Sequence, residues 1–348
     1  MNNAHWPSGA SNLVFAHRSS GYWALVIQLA SAIGYCVISS VAASANAEDK
    51  ATVIVVVGAP GEEEYGKNFQ KWAELWETAG RAADAKEIII GLKNGGETND
   101  LERLRQALHD EPKEIKTELW LVLIGHGTFD GKDAKFNLRG PDLSATNLAG
   151  WLQPFRRPVA VINCASASGA FLPPLSAEGR IVITATKSGH EINYARFGQY
   201  LSEAILDPQA DLDKDGQTSL LEAFLSASHR VGEFYKAEGR LATEHALLDD
   251  NGDGLGTPAD WFRGIRAVKK AAEGADPDGV RAHQFHLLRS DAERKMPATV
   301  RAKRDALELA VAKLRESKAQ FSEDEYYRRL ETFLIELAQL YQQSDGPR

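Results

Sequence analysis

Short apolar runs alternate along this chain with segments whose apolar residues recur every three or four positions. The run Thr52–Val57 consists of β-branched residues and ends at Gly58, which predicts a strand buried on both faces. Residues Gly66–Ala79 have aromatic residues at helical spacing, which predicts an amphipathic helix. Strands that alternate with helices in this way predict an α/β fold, with a mostly parallel sheet and helices on both faces. Further strands are predicted at Glu87–Gly91, Leu119–Ile124, Val159–Asn163 and Arg180–Thr184, and further helices at Asn99–His109, Asn147–Trp151, Phe197–Leu206 and Leu220–Lys236.

The C-terminal part of the chain changes to a purely helical pattern. Val300–Lys318 and Glu323–Gln343 each have one apolar stripe, and Ser322 followed by Glu325 forms a capping box at the start of the second segment. These features predict a helical hairpin over residues 299–345, after a linker over residues 274–298. Two interpretations stay open: the hairpin packs on the preceding domain, or it is an arm that binds a partner.

The N-terminal residues have the pattern of a secretory signal peptide. The 19 residues Trp23–Val41 carry no charge, Arg18 precedes them, and Ala45 and Ala47 match a signal-peptidase site. Cleavage there would remove residues 1–47 and export the mature chain to the periplasm or the medium. The alternative is an uncleaved single-span anchor, and only in that case would the protein be attached to a membrane.

Composition narrows the range of partners. The 348 residues include 40 basic and 48 acidic residues, which gives a formal net charge of −8. A nucleic-acid partner needs a basic face, so this balance argues against one. The two cysteines, Cys36 and Cys164, exclude a disulfide scaffold. Because Cys36 lies in the signal segment, the mature chain keeps one thiol.

Two predicted strands end on reactive side chains. Leu119–Ile124 leads into Gly125-His126-Gly127, and Val159–Asn163 leads into Cys164. Neighbouring parallel strands bring their carboxyl ends to one edge of the sheet, which would place the imidazole of His126 beside the thiol of Cys164. A helix expected just after Cys164 would favour its thiolate. The backbone N–H groups of Gly127 and Cys164 are the expected oxyanion donors.

The segment Trp120–Leu201 resembles the caspase-like cysteine peptidases and, within them, the legumain type. The resemblance rests on a hydrophobic strand that ends in His-Gly, a later hydrophobic strand that ends in Cys, and a segment, Ile181–Ala195, that is similar to the strand and loop lining the P1 pocket. It implies that His126 is the general base and Cys164 the nucleophile in the hydrolysis of protein or peptide substrates. It also implies a substrate-binding wall that includes Glu191, Asn193 and Tyr194.

Residues Asp211–Glu222 match the twelve-residue calcium loop of an EF-hand. Aspartates at positions 1, 3 and 5 supply hard oxygen ligands, glycine at position 6 permits the sharp turn, and glutamate at position 12 can bind an ion with both carboxylate oxygens. The pattern therefore predicts Ca²⁺ as the cofactor. Its expected ligands are Asp211, Asp213, Asp215, the backbone carbonyl of Gln217, Ser219 and Glu222.

A second acidic loop, Asp249–Asp260, repeats part of this pattern. It has glycine at position 6, but Gly256 and Pro258 disfavour a regular exit helix, and its last residue is shorter than glutamate. The two loops define a calcium-binding region over residues 207–273, after a caspase-like catalytic core over residues 48–206. The candidate ligands of the second loop are Asp249, Asn251, Asp253 and Asp260.

These observations predict an exported cysteine endopeptidase that hydrolyses peptide bonds through His126 and Cys164 and is stabilised by calcium. The alternative is a non-catalytic calcium-binding protein of the same fold that acts as a binding or assembly module. The sequence leaves the natural substrate and the oligomeric state open.

Overall fold

The computed structural model describes residues 50–92, 99–270, 272 and 275–344. One compact unit spans Asp49–Arg348, and the predicted boundaries after residues 206, 273 and 298 all fall inside it. The predicted signal peptide, residues 1–47, lies outside the described residues, so export stays a prediction. Within the described ranges, no helix is long and apolar enough to cross a membrane.

The fold is α/β and is organised around a seven-stranded sheet with the strand order β10-β9-β8-β7-β3-β1-β2. The strands of the described residues are, in chain order, β1 (Thr52–Val57), β2 (Lys86–Ile90), β3 (Leu119–Ile124), β4 (Gly127–Phe129), β5 (Ala134–Phe136), β6 (Leu143–Ser144), β7 (Val159–Asn163), β8 (Arg180–Thr184), β9 (Leu247–Asp249), β10 (Thr257–Pro258), β11 (Phe262–Arg263) and β12 (Arg266–Ala267). Strands β2, β1, β3, β7 and β8 pair in parallel. Strands β9 and β10 are antiparallel additions from the predicted calcium-binding region. The predicted mostly parallel sheet is confirmed.

Helices follow most strands, as the alternating pattern predicts. In the described residues they are α1 (Glu63–Ala82), α2 (Asp100–Asp110), α3 (Ala145–Leu152), α4 (Leu172–Leu175), α5 (Phe197–Ala204), α6 (Leu220–Ala237), α7 (Val280–His283), α8 (Asp291–Lys295), α9 (Ala298–Glu316) and α10 (Glu323–Ser344). Helices α9 and α10 form the predicted C-terminal hairpin. The predicted cap of α10 is present, because the backbone N–H of Glu325 donates to Ser322 Oγ at 3.3 Å.

The sheet separates two apolar layers, because successive side chains of a strand point to opposite faces. In β3, Trp120, Val122 and Ile124 face the layer that contains residues of α1, α5 and α6. The alternate residues of β3, all leucines, face the layer that contains residues of α2 and α3. Each fully buried side chain of this size contributes about 1.5–3 kcal/mol of transfer free energy. Burial on both faces therefore accounts for the continuous apolar character of β3.

A small second sheet, which the sequence pattern did not predict, follows directly after His126. Strands β4, β5 and β6 are antiparallel and span Gly127–Ser144. Phe136 of β5 is fully buried and packs in the same layer as the leucines of β3. These strands have only two or three residues each, which is too short for the two-residue alternation to be recognised.

A buried ion pair fixes the amino edge of the main sheet. Arg157, which is 3% exposed, donates to Glu111 Oε2 at 3.0 Å and to the carbonyl oxygens of Thr117 and Glu118 at 2.8 Å. Glu111, at the end of α2, also accepts from Thr52 Oγ1 at 2.9 Å. This pair joins β1, α2 and the segment before β7, so neither charge can be removed without leaving buried polar groups unpaired.

We expect the substitution Arg157→Met to lower the free energy of unfolding by about 3 kcal/mol, because Glu111 would lose its buried cation and keep only the half-exposed Lys86 as a charged partner. Urea denaturation followed by circular dichroism measures the loss. The matched control is Arg105→Met, since Arg105 pairs with Glu102 on an exposed helix face and should cost nothing measurable. Equal losses in the two variants would contradict the structural role of the buried pair.

Candidate functional site

The segment after β3 packs closely against the segments that follow its two neighbouring strands, β1 and β7. A Cβ atom at Gly125 would lie 3.2 Å from Cα of Gly58, and one at Gly127 would lie 2.2 Å from the carbonyl oxygen of Ser166. Both glycines are therefore required for close packing of neighbouring chain segments.

His126 lies between these glycines in an aromatic environment. Its ring centroid is 4.9 Å from that of Tyr65 and 5.2 Å from that of Phe69. Nε2 donates to the carbonyl oxygen of Pro60 at 3.2 Å, which leaves Nδ1 as the nitrogen with a free electron pair. Burial of the ring lowers the pKa of His126 below its ordinary value, and the bond to Pro60 opposes this shift. The imidazole is therefore neutral at pH 7 and is chemically able to accept a proton.

Cys164 lies deeper in the fold than the sequence predicts. Its side chain is fully buried in the core layer that contains Trp72 and α5. A Cβ atom at Gly198 of α5 would lie 2.6 Å from Cβ of Cys164, so α5 covers the thiol directly. Burial, together with the negative charge of Glu244, raises the pKa of Cys164 far above its ordinary value. Both effects oppose the stabilised thiolate that the sequence predicts.

The register of the sheet sets the offset between the two predicted catalytic residues along their strands. Leu123 of β3 pairs with Asn163 of β7, so Cys164 lies beside Ile124. His126 is two residues farther along the chain, a distance of about 7 Å in extended backbone. No hydrogen bond joins the His126 ring to the Cys164 thiol among the described contacts. The two residues share a face of the sheet, at the ends of two neighbouring parallel strands, and their action as a dyad stays a prediction.

Both predicted oxyanion donors already have partners. The N–H of Cys164 donates to the carbonyl oxygen of Leu123 at 2.9 Å, as part of the sheet. The N–H of Gly127 donates to Ser166 Oγ at 3.1 Å, and the same hydroxyl donates back to the carbonyl oxygen of Gly127. In this conformation neither N–H is available to an oxyanion.

The helix end nearest to Cys164 is occupied by a buried carboxylate. Glu244, which is 2% exposed, accepts from the N–H of Arg196 at 2.8 and 2.9 Å and from the N–H of Phe197 at 2.9 Å. It thereby satisfies backbone donors at the start of α5, where a helix attracts negative charge. The negative charge of Glu244 also acts on Cys164, and sequence analysis missed Glu244 because it lies 80 residues beyond Cys164.

The predicted substrate-binding wall divides into three different environments. Glu191 accepts from the N–H of Lys187 at 3.0 Å and lies 2.5 Å from Nδ1 of His245, so its carboxylate joins two loops. Asn193 is exposed. Tyr194 stacks on Tyr65 with ring centroids 4.7 Å apart, and its ring centroid lies 6.1 Å from that of His126. Burial raises the pKa of Tyr194 to about 12.

The turn after β7 depends on small polar residues that sequence analysis did not single out. Ser168 Oγ lies 3.2 Å from Thr186 Oγ1, and the same Thr186 oxygen accepts from the N–H of Gly169 at 2.9 Å. Ala167, which directly precedes Ser168, has a φ of 56° and donates its N–H to the carbonyl oxygen of Glu191 at 2.8 Å. The Ala-Ser-Ala-Ser-Gly composition of residues 165–169 is the signal that could have indicated a tight, buried turn.

The first acidic loop brings its predicted ligands together. Asp211, Asp213 and Asp215 each offer a carboxylate oxygen, and these oxygens all lie within 4.8 Å of one another. Asp211 also accepts from the backbone N–H groups of Lys214 at 2.6 Å and Gly216 at 3.1 Å. The φ of Gly216 is 88°, which explains the glycine. The side chains therefore form one acidic cluster whose donors are all hard oxygens.

The remaining predicted ligands of this loop connect it to α6. Ser219 and Glu222 form a capping box at the start of that helix. Glu222 Oε1 accepts from the N–H of Leu212 at 2.7 Å, so the same carboxylate also closes the loop. The side-chain oxygen of Gln217 accepts from the N–H of Ser290 at 3.1 Å. His283, which the sequence did not indicate, lies 3.0 Å from Asp213 through Nε2.

The second loop has the same turns but does not assemble the same cluster. Asp249 accepts from the N–H of Gly252 at 3.0 Å and of Gly254 at 3.1 Å, as Asp211 does in the first loop. Asp260 is exposed on a 3₁₀ turn after β10, and of the described acidic side chains in this loop no three converge. The side-chain amide of Asn251 donates to the carboxylate of Asp253, and the N–H of Asp253 donates to the side-chain oxygen of Asn251. Because Asp260 is exposed, the second loop has no carboxylate that closes it as Glu222 closes the first.

Comparison with known proteins gives fold-level similarity only. No protein-family model matches the chain, and no curated protein does. Among solved structures, the chain is similar to the Drosophila initiator caspase Dronc, at 14% identity and a TM-score of 0.41, over 58% of this chain and 80% of that one. It is also similar to caspase-1 from Spodoptera frugiperda, at 10% identity and a TM-score of 0.38, over 59% and 87% of the two chains.

The burial of Cys164 predicts slow alkylation. In a Cys36→Ser variant, iodoacetamide should modify native protein at pH 8 more than about 100-fold more slowly than protein unfolded in urea, because the thiol is covered and its pKa is raised. Mass spectrometry of the intact protein measures both rates. Native alkylation as fast as that of the unfolded chain would show that the thiol is accessible and ionised.

Proposed function

We propose that this chain is a calcium-binding α/β protein that acts by binding and does not hydrolyse peptide bonds. The observation that carries the proposal is the convergence of Asp211, Asp213 and Asp215. These carboxylate oxygens lie within 4.8 Å of one another, which supports a shared cation. The proposed function corresponds to the non-catalytic alternative that the sequence leaves open.

The donors of the first loop fit calcium. Ca²⁺ takes six to eight oxygen ligands in flexible geometry, and carboxylates and backbone carbonyls are its usual donors. Asp211, Asp213, Asp215, the carbonyl of Gln217 and Glu222 would hold the ion. Bound calcium would remove the mutual repulsion of these carboxylates. Ser219, which caps α6 and donates to Glu222 at 2.7 Å, would orient that carboxylate.

A calcium ion in this loop would act on the core through α6. Phe224 of α6 is fully buried, and its ring centroid lies 6.1 Å from that of Phe197 in α5. Helix α5 in turn covers Cys164. Because α6 contacts α5 and α5 contacts Cys164, an ion that fixes the start of α6 would also stabilise the helices packed on this face of the sheet.

A cysteine endopeptidase is the second candidate function. It is favoured by one observation, the position of His126 and Cys164 on the same face of two neighbouring parallel strands. Hydrolysis would require α5 to move away from the thiol, so that the His126 ring and a substrate carbonyl could reach it. In that case His126 would be the general base and Cys164 the nucleophile.

Peptide turnover distinguishes the two candidates. The parent protein, with calcium present, should not cleave a peptide library above background, and its trace activity should be the same in Cys164→Ala and His126→Ala. Liquid chromatography with mass spectrometry of the library measures cleavage. Turnover by the parent that both substitutions abolish would establish the peptidase and overturn the binding function.

Calcium uptake tests the metal site itself. Metal-stripped protein should bind calcium in a calorimetric titration, and calcium at about a hundred times its dissociation constant should stabilise the fold by roughly 2.7 kcal/mol. Asp215→Asn should weaken the affinity, because Asp215 belongs to the converged cluster. Asp260→Asn is the matched control and should leave it nearly unchanged.

Two results would contradict this assignment. One is the absence of calcium uptake by the stripped parent protein. The other is an equal loss of affinity in the two variants, which would mean that the second loop contributes as much as the first. Glu222→Gln should also weaken binding, but it is a less specific test because Glu222 caps α6.

A further inference from the structure

A cavity of about 670 Å³ lies at the amino edge of the sheet, opposite to His126. One wall comes from residues just before β3, β7 and β8, including Lys116, Pro158 and Gly179. The other wall comes from α7, the segment after it, and α9. The cavity therefore lies between the sheet and the first helix of the C-terminal hairpin. Its size falls within the range of small-molecule sites, about 300–1,000 Å³.

The lining of this cavity is strongly cationic in a chain whose net charge is −8. Two carboxylates, Glu118 and Asp305, also line it. The basic residues that line it are Lys116, Arg156, Arg281, Arg289 and Arg301.

Both carboxylates are already paired, so they do not neutralise most of these cations. Glu118 binds Arg289. Asp305 accepts from Arg304, a residue outside the lining, at 2.7 and 2.9 Å. Among the described residues, Lys116 and Arg281 have no hydrogen bond or ion pair through their side chains. Arg156 donates to the carbonyl oxygens of Gln153 and Phe155 only.

Arg301 is a partly buried cation of this group. It donates to the carbonyl oxygen of Glu293 at 2.9 Å, and its Nε lies 3.9 Å from the carboxylate of that residue, which is bound mainly by Arg304. Burial lowers the pKa of Arg301, and the positive charge of Arg289 lowers it further. Two cations of the lining therefore repel each other, which an anion between them would relieve.

The rest of the lining is apolar. Phe285, whose ring centroid is 4.7 Å from that of Trp120, belongs to it, as do Ile181 and Leu309. An inorganic anion would occupy a small part of this volume and would not use these side chains. A ligand that fits the whole cavity has an anionic group and an apolar or aromatic part.

We propose that this cavity binds a small organic phosphate, with the phosphate group held by the cations that lack a carboxylate partner and the organic part against the apolar wall. A phosphate monoester carries a charge of about −1.5 to −2 and three strong acceptor oxygens, so it suits several convergent donors better than a carboxylate does. Arginine recognises phosphate particularly well, through its planar set of donors. A bound ligand would join the amino edge of the sheet to α9.

Calorimetric titration of the full chain tests this proposal with defined probes: AMP, phenyl phosphate, inorganic phosphate and adenosine. AMP or phenyl phosphate should bind, with an affinity that falls as salt rises. Adenosine and inorganic phosphate should each bind at least about tenfold more weakly, since each lacks one half of the recognised chemistry. The variants leave unchanged His283, the α7 residue that contacts Asp213 of the acidic loop, so calcium binding should not change in them.

Arg281→Gln is the decisive variant, because its side chain has no partner among the described residues and its loss should not disturb folding. It should weaken binding about tenfold, and Lys116→Gln with Arg281→Gln about a hundredfold. Arg294→Gln is the matched control; Arg294 pairs with Asp291 on α8, lies outside the cavity, and should bind as the parent does. Melting temperatures confirm that all variants are folded.

Three results would overturn the proposal. The first is the absence of binding by both organic phosphates at millimolar concentrations. The second is equal affinity of the parent and the Arg281→Gln variant, which would place any binding elsewhere. The third is adenosine or inorganic phosphate binding as tightly as the organic phosphates.

Discussion

The structure depends on the burial of both faces of the parallel strands. Strands β1, β3, β7 and β8 consist almost entirely of side chains that water does not reach, so each face needs a continuous cover of helices. On one face α1, α5 and α6 supply this cover. The same requirement brings Gly198 of α5 against Cys164. The packing that stabilises the sheet is therefore also what removes the thiol from solvent and keeps it protonated.

The two edges of the sheet differ in chemistry as a result. At the carboxyl edge, aromatic rings surround His126, and Glu244 fills the start of α5. At the amino edge there is a buried ion pair, and the cavity beside α9 is lined by five basic residues, of which Lys116 and Arg281 have no side-chain partner among the described residues. At the carboxyl edge His126 and Glu244 have partners within the protein, whereas at the amino edge Lys116 and Arg281 have no side-chain partner among the described residues. This difference is the basis of the proposed anion site at the amino edge.

Sequence patterns predicted the strands of the main sheet but not the contacts that surround His126 and Cys164. Strands β1, β3, β7 and β8 have the predicted bounds, because short, nearly continuous apolar runs leave few alternatives. The motif of Asp211–Glu222 indicated a cluster that the fold assembles, since its ligands are close in sequence. The surroundings of His126 and Cys164 depend instead on the strand register and on how closely α5 packs against Cys164. Neither is encoded locally, and Glu244 and Arg281 reach their sites from far along the chain.

The central claim is that Cys164 is a protonated, structural thiol. Its ionisation can be observed directly by labelling cysteine with ¹³C at Cβ in a Cys36→Ser protein and following the chemical shift from pH 6 to pH 10. The account predicts the shift of a neutral thiol across this range, because burial and Glu244 both oppose the thiolate. A titration at or below the ordinary cysteine value of about 8.5, displaced when His126 is replaced by alanine, would contradict the account and would indicate a working dyad.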